Sequence, residues 1–492
     1  MAPACSGADW TGLYGSLCVP GNNRCPVLTG EDFPAAQFPP ALSGGPITIQ
    51  DYNQLSHISW LKLHTEVNNM KLLIIGSGGV GQSAAMIIKT AGKEGEWAER
   101  IVLSDYNLSR AEEVAKMCDD PRFIAEKVDA GDAGQINGLI KKHDITYVMN
   151  AVEPSFNETI FDTCLECGVG YLDCAMTLSK RHPEKPFELT NIKLGDYQFA
   201  KHEEWAKAGN MAIVGSGVEP GMSDVFARYA AKHLFDTIDE VNVRDGDNYD
   251  IPGHEGVAFG FSIWTTIEEC LNPPVIWEKG RGWYCTDIFS EPEIFSFPGG
   301  IGDVEVINVE HEEVLLIPRV IDCKRVTFKF GVPREMRTLL LNLKECGMDD
   351  ATRKVKVGDS EITPRDFLVK VVPDPLELAK KMVGKGCAGT WVTGTKNGKS
   401  RSVYIYQVAD NQECYQKYGT NSVVAQTAFS PVIMLELVAK GIWDLKGVHG
   451  PESFDPDPFI ERMAKYGFPG GMEEKDSEYS ESLNREKLIK AK

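Results

Sequence analysis

One short stretch constrains this chain more than any other. The apolar run 71–75 (Lys-Leu-Leu-Ile-Ile) ends in Gly76-Ser-Gly-Gly-Val-Gly81, which opens into a helical run over 82–90. A GxGxxG by itself is a common glycine-rich turn. Between a strand and a helix, with an acid closing the next strand at Asp105, it marks a dinucleotide site. Gly76 allows the tight turn, Gly78 lets the backbone approach a pyrophosphate, and Gly81 lets the helix lie close to the sheet. Around Ser77, Gly79 and Val80 the helix start offers unpaired N–H groups and the positive end of its dipole to the phosphates. Asp105 is placed to accept hydrogen bonds from the adenosine ribose, and it would repel a 2′-phosphate, which favours NAD over NADP. Arg110 softens that preference. Asp129, after the third strand, is expected near the adenine. Asn150, Ala151 and Val152 end the fourth strand, where their backbone meets the cofactor.

The strand–helix alternation continues well past this turn. Strands are read at 100–104, 123–128, 145–150, 170–174 and 211–215, with helices at 107–117, 133–143, 158–167 and 198–208. Such spacing predicts a parallel sheet with crossover helices. The fold class is α/β: a Rossmann doubly wound domain over 70–222, followed by an α+β substrate and dimerisation domain over 223–410. In the second domain, 304–309 and 325–330 alternate as half-buried strands, and 390–406 reads as a hairpin turning at Asn397-Gly398. Its sheet is therefore mixed or antiparallel. Residues 411–470 are read as C-terminal helices packing back on the Rossmann domain, one of them a long apolar helix over 421–440 broken near Pro431. The Pro- and Gly-rich segment 1–69 is read as irregular, and 471–492 as a frayed charged tail.

Composition excludes several classes. A formal net charge of -20 argues against nucleic acid and anionic membranes as partners. No run of 18 or more apolar residues appears, so no membrane-spanning helix is expected. The N-terminus has no signal-peptide pattern. Thirteen cysteines, an odd and scattered set, point to reduced thiols and a cytoplasmic setting. Cys164 and Cys167 form a single CxxC with no second pair, on one helical face, so no metal site is expected.

The motifs also carry a resemblance. GSGGVG at 76–81, VDA at 128–130, VMNAVEP at 148–154 and GSGVEPG at 215–221 resemble the saccharopine dehydrogenase family. Its carboxynorspermidine synthase (dehydrogenase) branch is similar at FARYAAKHLFDTIDEV (226–241), NVEHEEV (308–314), GTWVTGTKNGKSRSVYIY (389–406) and DPDPFIERMAKYGFP (455–469). The chain departs from that branch at Asp105-Tyr106-Asn107, where an arginine-containing turn is usual, and at 426–429. The resemblance implies an NAD(P)-dependent oxidoreductase acting on a C–N bond, in which an imine of an amino-acid-derived substrate is reduced to a secondary amine or the reverse. It also implies a homodimer. Carboxynorspermidine or carboxyspermidine formation in polyamine biosynthesis, saccharopine or lysine 6-dehydrogenase chemistry in lysine metabolism, and a non-catalytic dinucleotide-binding protein all remain open.

Candidate residues follow. His311 is matched to the family's His-acid-Glu and is placed to give or take the imine-linked proton, with Glu312 beside it. Asp245 and Asp247 are read in an acidic loop after a strand, suited to substrate ammonium groups; Asp247 is taken as catalytic and Asp245 as substrate-binding. Asp173, at a strand end, is a further substrate contact. Arg244 is taken as a carboxylate clamp, with Arg325, Arg334 and Arg337 as alternatives. Gly217, in the loop 215–221, is expected against the nicotinamide.

Overall fold

Short runs with no polar alternation bury both faces of a strand, and those runs build the first sheet. The computed structural model describes residues 70–256 and 258–475, so 1–69 and the tail beyond 475 lie outside the described residues. Leu72, Leu73 and Ile74 of strand β1 (Met70–Ile75) are fully buried, as are Ile101, Val102 and Leu103 of β2 (Ala98–Asp105). With β3 (Phe123–Lys127), β4 (Tyr147–Asn150), β5 (Gly170–Asp173) and β6 (Met211–Ile213) they form a parallel sheet. Its order is Gly447–His449, then β6-β5-β4-β1-β2-β3. This is the doubly wound arrangement, with a switch in strand order beside β1. Helices begin where the sequence reads them: Ala133–His143 has Asp132 accepting from the amides of Gly134 and Gln135, and Leu108–Cys118 is capped by Asn107.

The edge strand β17 (Gly447–His449) comes from the C-terminal segment and pairs with β6. That segment is thus not purely helical. It also supplies β18 (Gly470–Glu474), which pairs with the second sheet, so the first residues of the expected frayed tail are ordered strand. Both strands are too short to show a period.

The second sheet runs, edge to edge, 293–297, 302–308, 325–331, 237–247, 385–396, 399–410 and β18. Its members are β7 (Thr237–Asp247), β10 (Glu293–Phe297), β11 (Gly302–Asn308), β12 (Arg325–Gly331), β15 (Lys385–Lys396) and β16 (Lys399–Asp410). Strand β7 is parallel to β12 and antiparallel to β15, so the sheet is mixed. The β15–β16 hairpin turns at Asn397 and Gly398, both at positive φ (51° and 71°), as a two-residue turn of this kind requires. Asp245 and Asp247 do not sit in a loop: they are in β7, whose ladder to β15 continues to Asp247. Because side chains alternate, Val243, Asp245 and Asp247 share one face with Phe328 of β12, while Arg244 points to the other.

The helix Ser422–Ala439 packs on the helix Gly79–Thr90 and closes the unit. It is continuous through Pro431, not broken there. Proline removes one donor, and the burial of this helix outweighs that loss. Its mean hydropathy is 1.6, enough by length and composition to cross a membrane, but 89% of it is buried inside the protein. It also carries the buried Glu436, whose Oε1 accepts from Arg462 Nε at 2.8 Å.

The glycine turn is packed from behind. A Cβ on Gly81 would lie 1.9 Å from the Gly76 carbonyl oxygen. Gly81→Ala is therefore expected to destabilise the fold by about 2–3 kcal/mol, the cost of overpacking a rigid contact. Urea denaturation of the two proteins checks this, and an unchanged midpoint would contradict it.

Candidate active site

Two surfaces meet at the carboxyl ends of the parallel strands. The first is the glycine cradle. Gly76 has φ +100°, and a Cβ there would strike the Ala151 carbonyl oxygen at 2.6 Å and Val152 Cγ1 at 2.7 Å, so the end of β4 abuts the turn. A Cβ on Gly79 would meet Val424 Cγ1 at 2.9 Å. Gly78 differs: nothing lies within 4 Å of the corresponding position. No side chain caps the helix Gly79–Thr90, so its first amides face this open side. Asp105 accepts from Ser77 N and Asn107 N, both at 2.9 Å, which fixes the carboxylate beside the turn and leaves lone pairs for a ribose. A dinucleotide fits these residues: backbone donors where a pyrophosphate lies, an open Cα at the approach, and an acid at the ribose end.

Arg110 lies on the same turn. Its Nε donates to Ser77 O at 3.0 Å, Nη1 to Glu113 at 2.8 Å, and Nη2 to Gln82. The side chains of Asp129 and Asn150 are spent locally. Asp129 Oδ1 accepts from Gly131 N, and Asn150 holds Asn157, Tyr171 and the Val152 amide. Gly217 lies in the tight loop 215–221, where a Cβ would be 3.3 Å from Cys174 O.

The second surface is a cleft crowded with carboxylates. Strand β7 brings Asp245 and Asp247; the loop after β6 brings Glu219; the helix Ile263–Leu271 brings Glu269; and the chain after β11 brings His311, Glu312 and Glu313. The His311 ring stacks on Phe328 with centroids 3.7 Å apart and planes 8° from parallel. Its Nδ1 is 2.5 Å from Glu313 Oε2 and 3.6 Å from Glu312 Oε2, and Nε2 is 4.0 Å from Glu269 Oε1. Ser223 Oγ donates to Glu313 at 3.0 Å, and the Met176 amide donates to Glu312 at 3.2 Å. The acids come from four separate elements, and Glu312 ties them to the end of β5.

Burial and mutual repulsion dominate the electrostatics. Burial alone would lower the His311 pKa, but the charge of Glu313, its hydrogen bond, and then Glu312 and Glu269 outweigh it and raise His311 to about 10. Burial lifts Asp247 to about 6 and Glu269 to about 8. Asp245, lifted by burial to about 7, is hydrogen-bonded to Glu219, which burial and the charge of Asp245 hold well above the usual carboxylate range. Glu219 Oε2 has no hydrogen-bond partner. His311, Glu312 and Glu313 are close enough to share a metal ion, but the contact of His311 Nδ1 with Glu313 accounts for them as an ion pair.

Two substrate candidates are placed elsewhere. Asp173 is buried and accepts from Tyr171 Oη at 2.9 Å, Gln198 Nε2 at 2.6 Å and Gly215 N at 2.8 Å. It ties the loop 215–221 to β5, with both carboxylate oxygens engaged inside the protein. Arg244 lies on the opposite sheet face, paired to Glu293 at 3.0 Å and beside the Trp391 ring, so it does not clamp a ligand in this cleft. The alternation of β7 forces that outcome once Asp245 faces inward. Arg325 is likewise committed, to Glu291 at 2.8 Å. Sequence reasoning missed Glu219, Glu269 and Phe328. Glu219 was visible inside GSGVEPG; the other two carry no local signal.

A doubly wound sheet with this cradle, joined to a cleft holding a titratable histidine, defines an NAD(P)-dependent oxidoreductase. The profile described as the saccharopine dehydrogenase NADP binding domain matches residues 72–213, and the saccharopine dehydrogenase C-terminal domain matches 217–468. The chain belongs to the saccharopine dehydrogenase family. It is 29% identical over 417 residues to a carboxynorspermidine synthase of Vibrio alginolyticus, covering 82% of this chain and 97% of that one. It is 28% identical over 407 residues to a carboxyaminopropylagmatine dehydrogenase of Synechocystis, covering 81% and 96%. The fold is shared with apo saccharopine dehydrogenase (L-Glu forming) of Saccharomyces cerevisiae, at 15% identity and a TM-score of 0.55, over 83% of this chain and all of that one.

The raised pKa values have a thermodynamic consequence. A group whose folded pKa exceeds its unfolded value stabilises the fold fully below the unfolded pKa and loses that contribution as pH rises through the folded one. For His311 the window runs from about 6.5, its unfolded value, to about 10. Stability in urea is expected to fall across this window, and His311→Gln should flatten the fall. An equally steep decline in the variant would mean that His311 is not held as an imidazolium.

Proposed function

We propose that this chain reduces the imine formed between a diamine and the aldehyde of an amino acid, and so makes a carboxylated polyamine, or runs the reverse reaction. One observation carries the reading: among the described residues, the single cationic side chain set among Glu219, Asp245, Glu269, Glu312 and Glu313 is His311. Buried carboxylates without partners are costly, and a ligand carrying ammonium groups offsets that cost. A saccharopine-type ligand, with several carboxylates, calls instead for arginines. Arg244 is on the other face of the sheet, Arg325 is paired with Glu291 and Arg337 with Glu305, which leaves Arg334 as the one candidate without a carboxylate partner among the described residues, too few for a ligand with several carboxylates. The names of the Vibrio and Synechocystis relatives support the same substrate class.

The dinucleotide, when bound, supplies or accepts the hydride. The protein's own residues handle position and protons. Glu219, Asp245 and Glu269 hold ammonium groups and so orient the C=N bond against the end of β5 and the loop 215–221. His311, kept in place by Phe328 and Glu313, has its Nε2 proton free to pass to the nitrogen that becomes an amine. Glu313 and Glu312 raise the His311 pKa and so keep this proton in place across the neutral range, ready for transfer. A titratable group within a charged cleft favours catalysis over a purely dinucleotide-binding role.

NAD is the preferred cofactor in this reading. Asp105 faces the ribose end, and each nitrogen of Arg110 is already engaged by Ser77, Glu113 or Gln82, which leaves no ready partner for a 2′-phosphate. A cytoplasmic homodimer completes the reading.

NADH oxidation by aspartate semialdehyde with 1,3-diaminopropane or putrescine is expected to exceed that by aminoadipate semialdehyde with glutamate, with kcat/KM at least roughly tenfold higher for NADH than for NADPH. Turnover confined to the glutamate pair would overturn the proposal. Gly78→Val should weaken NADH binding at least roughly tenfold without lowering stability, because that position is open in the folded chain. Unchanged affinity by calorimetry would remove the cradle from its role. His311→Ala should lower kcat roughly 100-fold or more, as loss of a general acid does; unchanged turnover would remove it from proton transfer.

A further inference from the structure

Beside the carboxylate cleft, two opposite charges face one cavity without pairing. The cavity measures about 150 Å³ and is lined by Asp247, Val304, Glu305, Val332, Arg334 and Arg337, among others. Asp247 is its link to the cleft, two residues and so about 7 Å along β7 from Asp245. Its carboxylate accepts only the Tyr249 amide, at 3.1 Å, among the described residues, and no cation lies within ion-pair distance. Across the cavity, Arg334 opens the helix Arg334–Glu345 and has no carboxylate partner among the described residues. Arg337 spends Nη2 on Glu305 at 3.0 Å, but its Nε is buried with no acceptor. The helix start adds amides that no side chain caps, since Pro333 stands at the N-cap.

The charges are therefore one free carboxylate, one free guanidinium and one internally neutral pair. A pure cation would leave Arg334 unmet, and a pure anion would leave Asp247 unmet. A group with both charges a short distance apart meets both. We propose that this cavity is the subsite for a zwitterionic α-amino-acid head, with Asp247 receiving its ammonium group and Arg334, backed by Arg337 Nε, its carboxylate. A guanidinium offers two parallel donors to a carboxylate, which fixes the orientation of the head as well as its identity. This assignment rests on the imine-reduction reading for its link to turnover. It reassigns Asp247 from catalysis to binding, and it separates the two ends of the ligand: ammonium groups of the diamine in the acidic cleft, the amino-acid head beside it.

Two measurements separate this inference from the reaction itself. In the first, calorimetry with NAD-loaded protein follows binding of L-2-aminobutyrate, which carries the head and no aldehyde. Binding is expected for the unmodified chain, with at least a tenfold weaker Kd in Arg334→Gln and in Asp247→Asn. Arg334 is exposed, so its substitution leaves the fold intact. In the second, KM is compared for aspartate semialdehyde and for 3-aminopropanal, which lacks the carboxylate, each with 1,3-diaminopropane. Arg334→Gln is expected to raise KM at least tenfold for the first aldehyde and less than twofold for the second. Equal effects on both, or no binding of L-2-aminobutyrate to the unmodified chain, would overturn the subsite. If L-2-aminobutyrate binds as expected while both aldehydes stay idle, the subsite stands and the imine-reduction reading falls.

Discussion

The stack of His311 on Phe328, with Glu313 at its Nδ1, is the contact on which the cleft depends. Carboxylates buried together repel one another and forgo hydration, and either effect alone costs more than a domain's stability margin permits for several groups at once. An imidazolium held against an aromatic face and one carboxylate neutralises part of that charge. Protons take up more: Glu219 and Asp245 are hydrogen-bonded to each other, an arrangement that two ionised carboxylates do not adopt. The cleft thus folds by keeping protons on some of its acids.

The geometry follows from how two sheets of different texture meet. The parallel sheet ends in loops, and the mixed sheet presents a face. Asp173 anchors the loop 215–221 through Gly215, and this places Glu219 against β7. Glu312 reaches back to the Met176 amide beyond β5. The contacts of Glu219 with Asp245 and of Glu312 with the Met176 amide cross from one half to the other, so the cleft persists only while the two halves stay docked. The helix Ser422–Ala439 holds them so, with Val424 against Gly79 at one end and the C-terminal strands feeding both sheets beyond it.

What was legible in the sequence is what is local. The glycine turn, Asp105 and the crossover helices are written in spacing of a few residues, and so is the hairpin at Asn397-Gly398. Asp245 and Asp247 look like loop in the sequence, because acidic residues and a glycine imitate a turn when the strand that pairs with them, β15, is distant along the chain. Glu269 and Phe328 were invisible for a related reason. Nothing in an amphipathic helix or an alternating strand says which inward residue will meet a histidine from a third element. Arg244 was misplaced by one position of alternation, which in a strand is the difference between two opposite surfaces.

That last point bears on specificity. In β7, successive residues send an arginine into an ion pair with Glu293 beneath the aromatic cluster and an aspartate into the cleft. Had the register slipped by one, the cleft would present a guanidinium and recognise anions. Register is pinned by the ladder to β15, in which Gly386 stands opposite Asp247 and Ala388 opposite Asp245. Both neighbours are small, and at Gly386 the space is taken by Tyr249, whose Oη a Cβ there would meet at 2.2 Å. The negative charge of this face is therefore a property of strand pairing as much as of the acids themselves, and it is set before any ligand arrives.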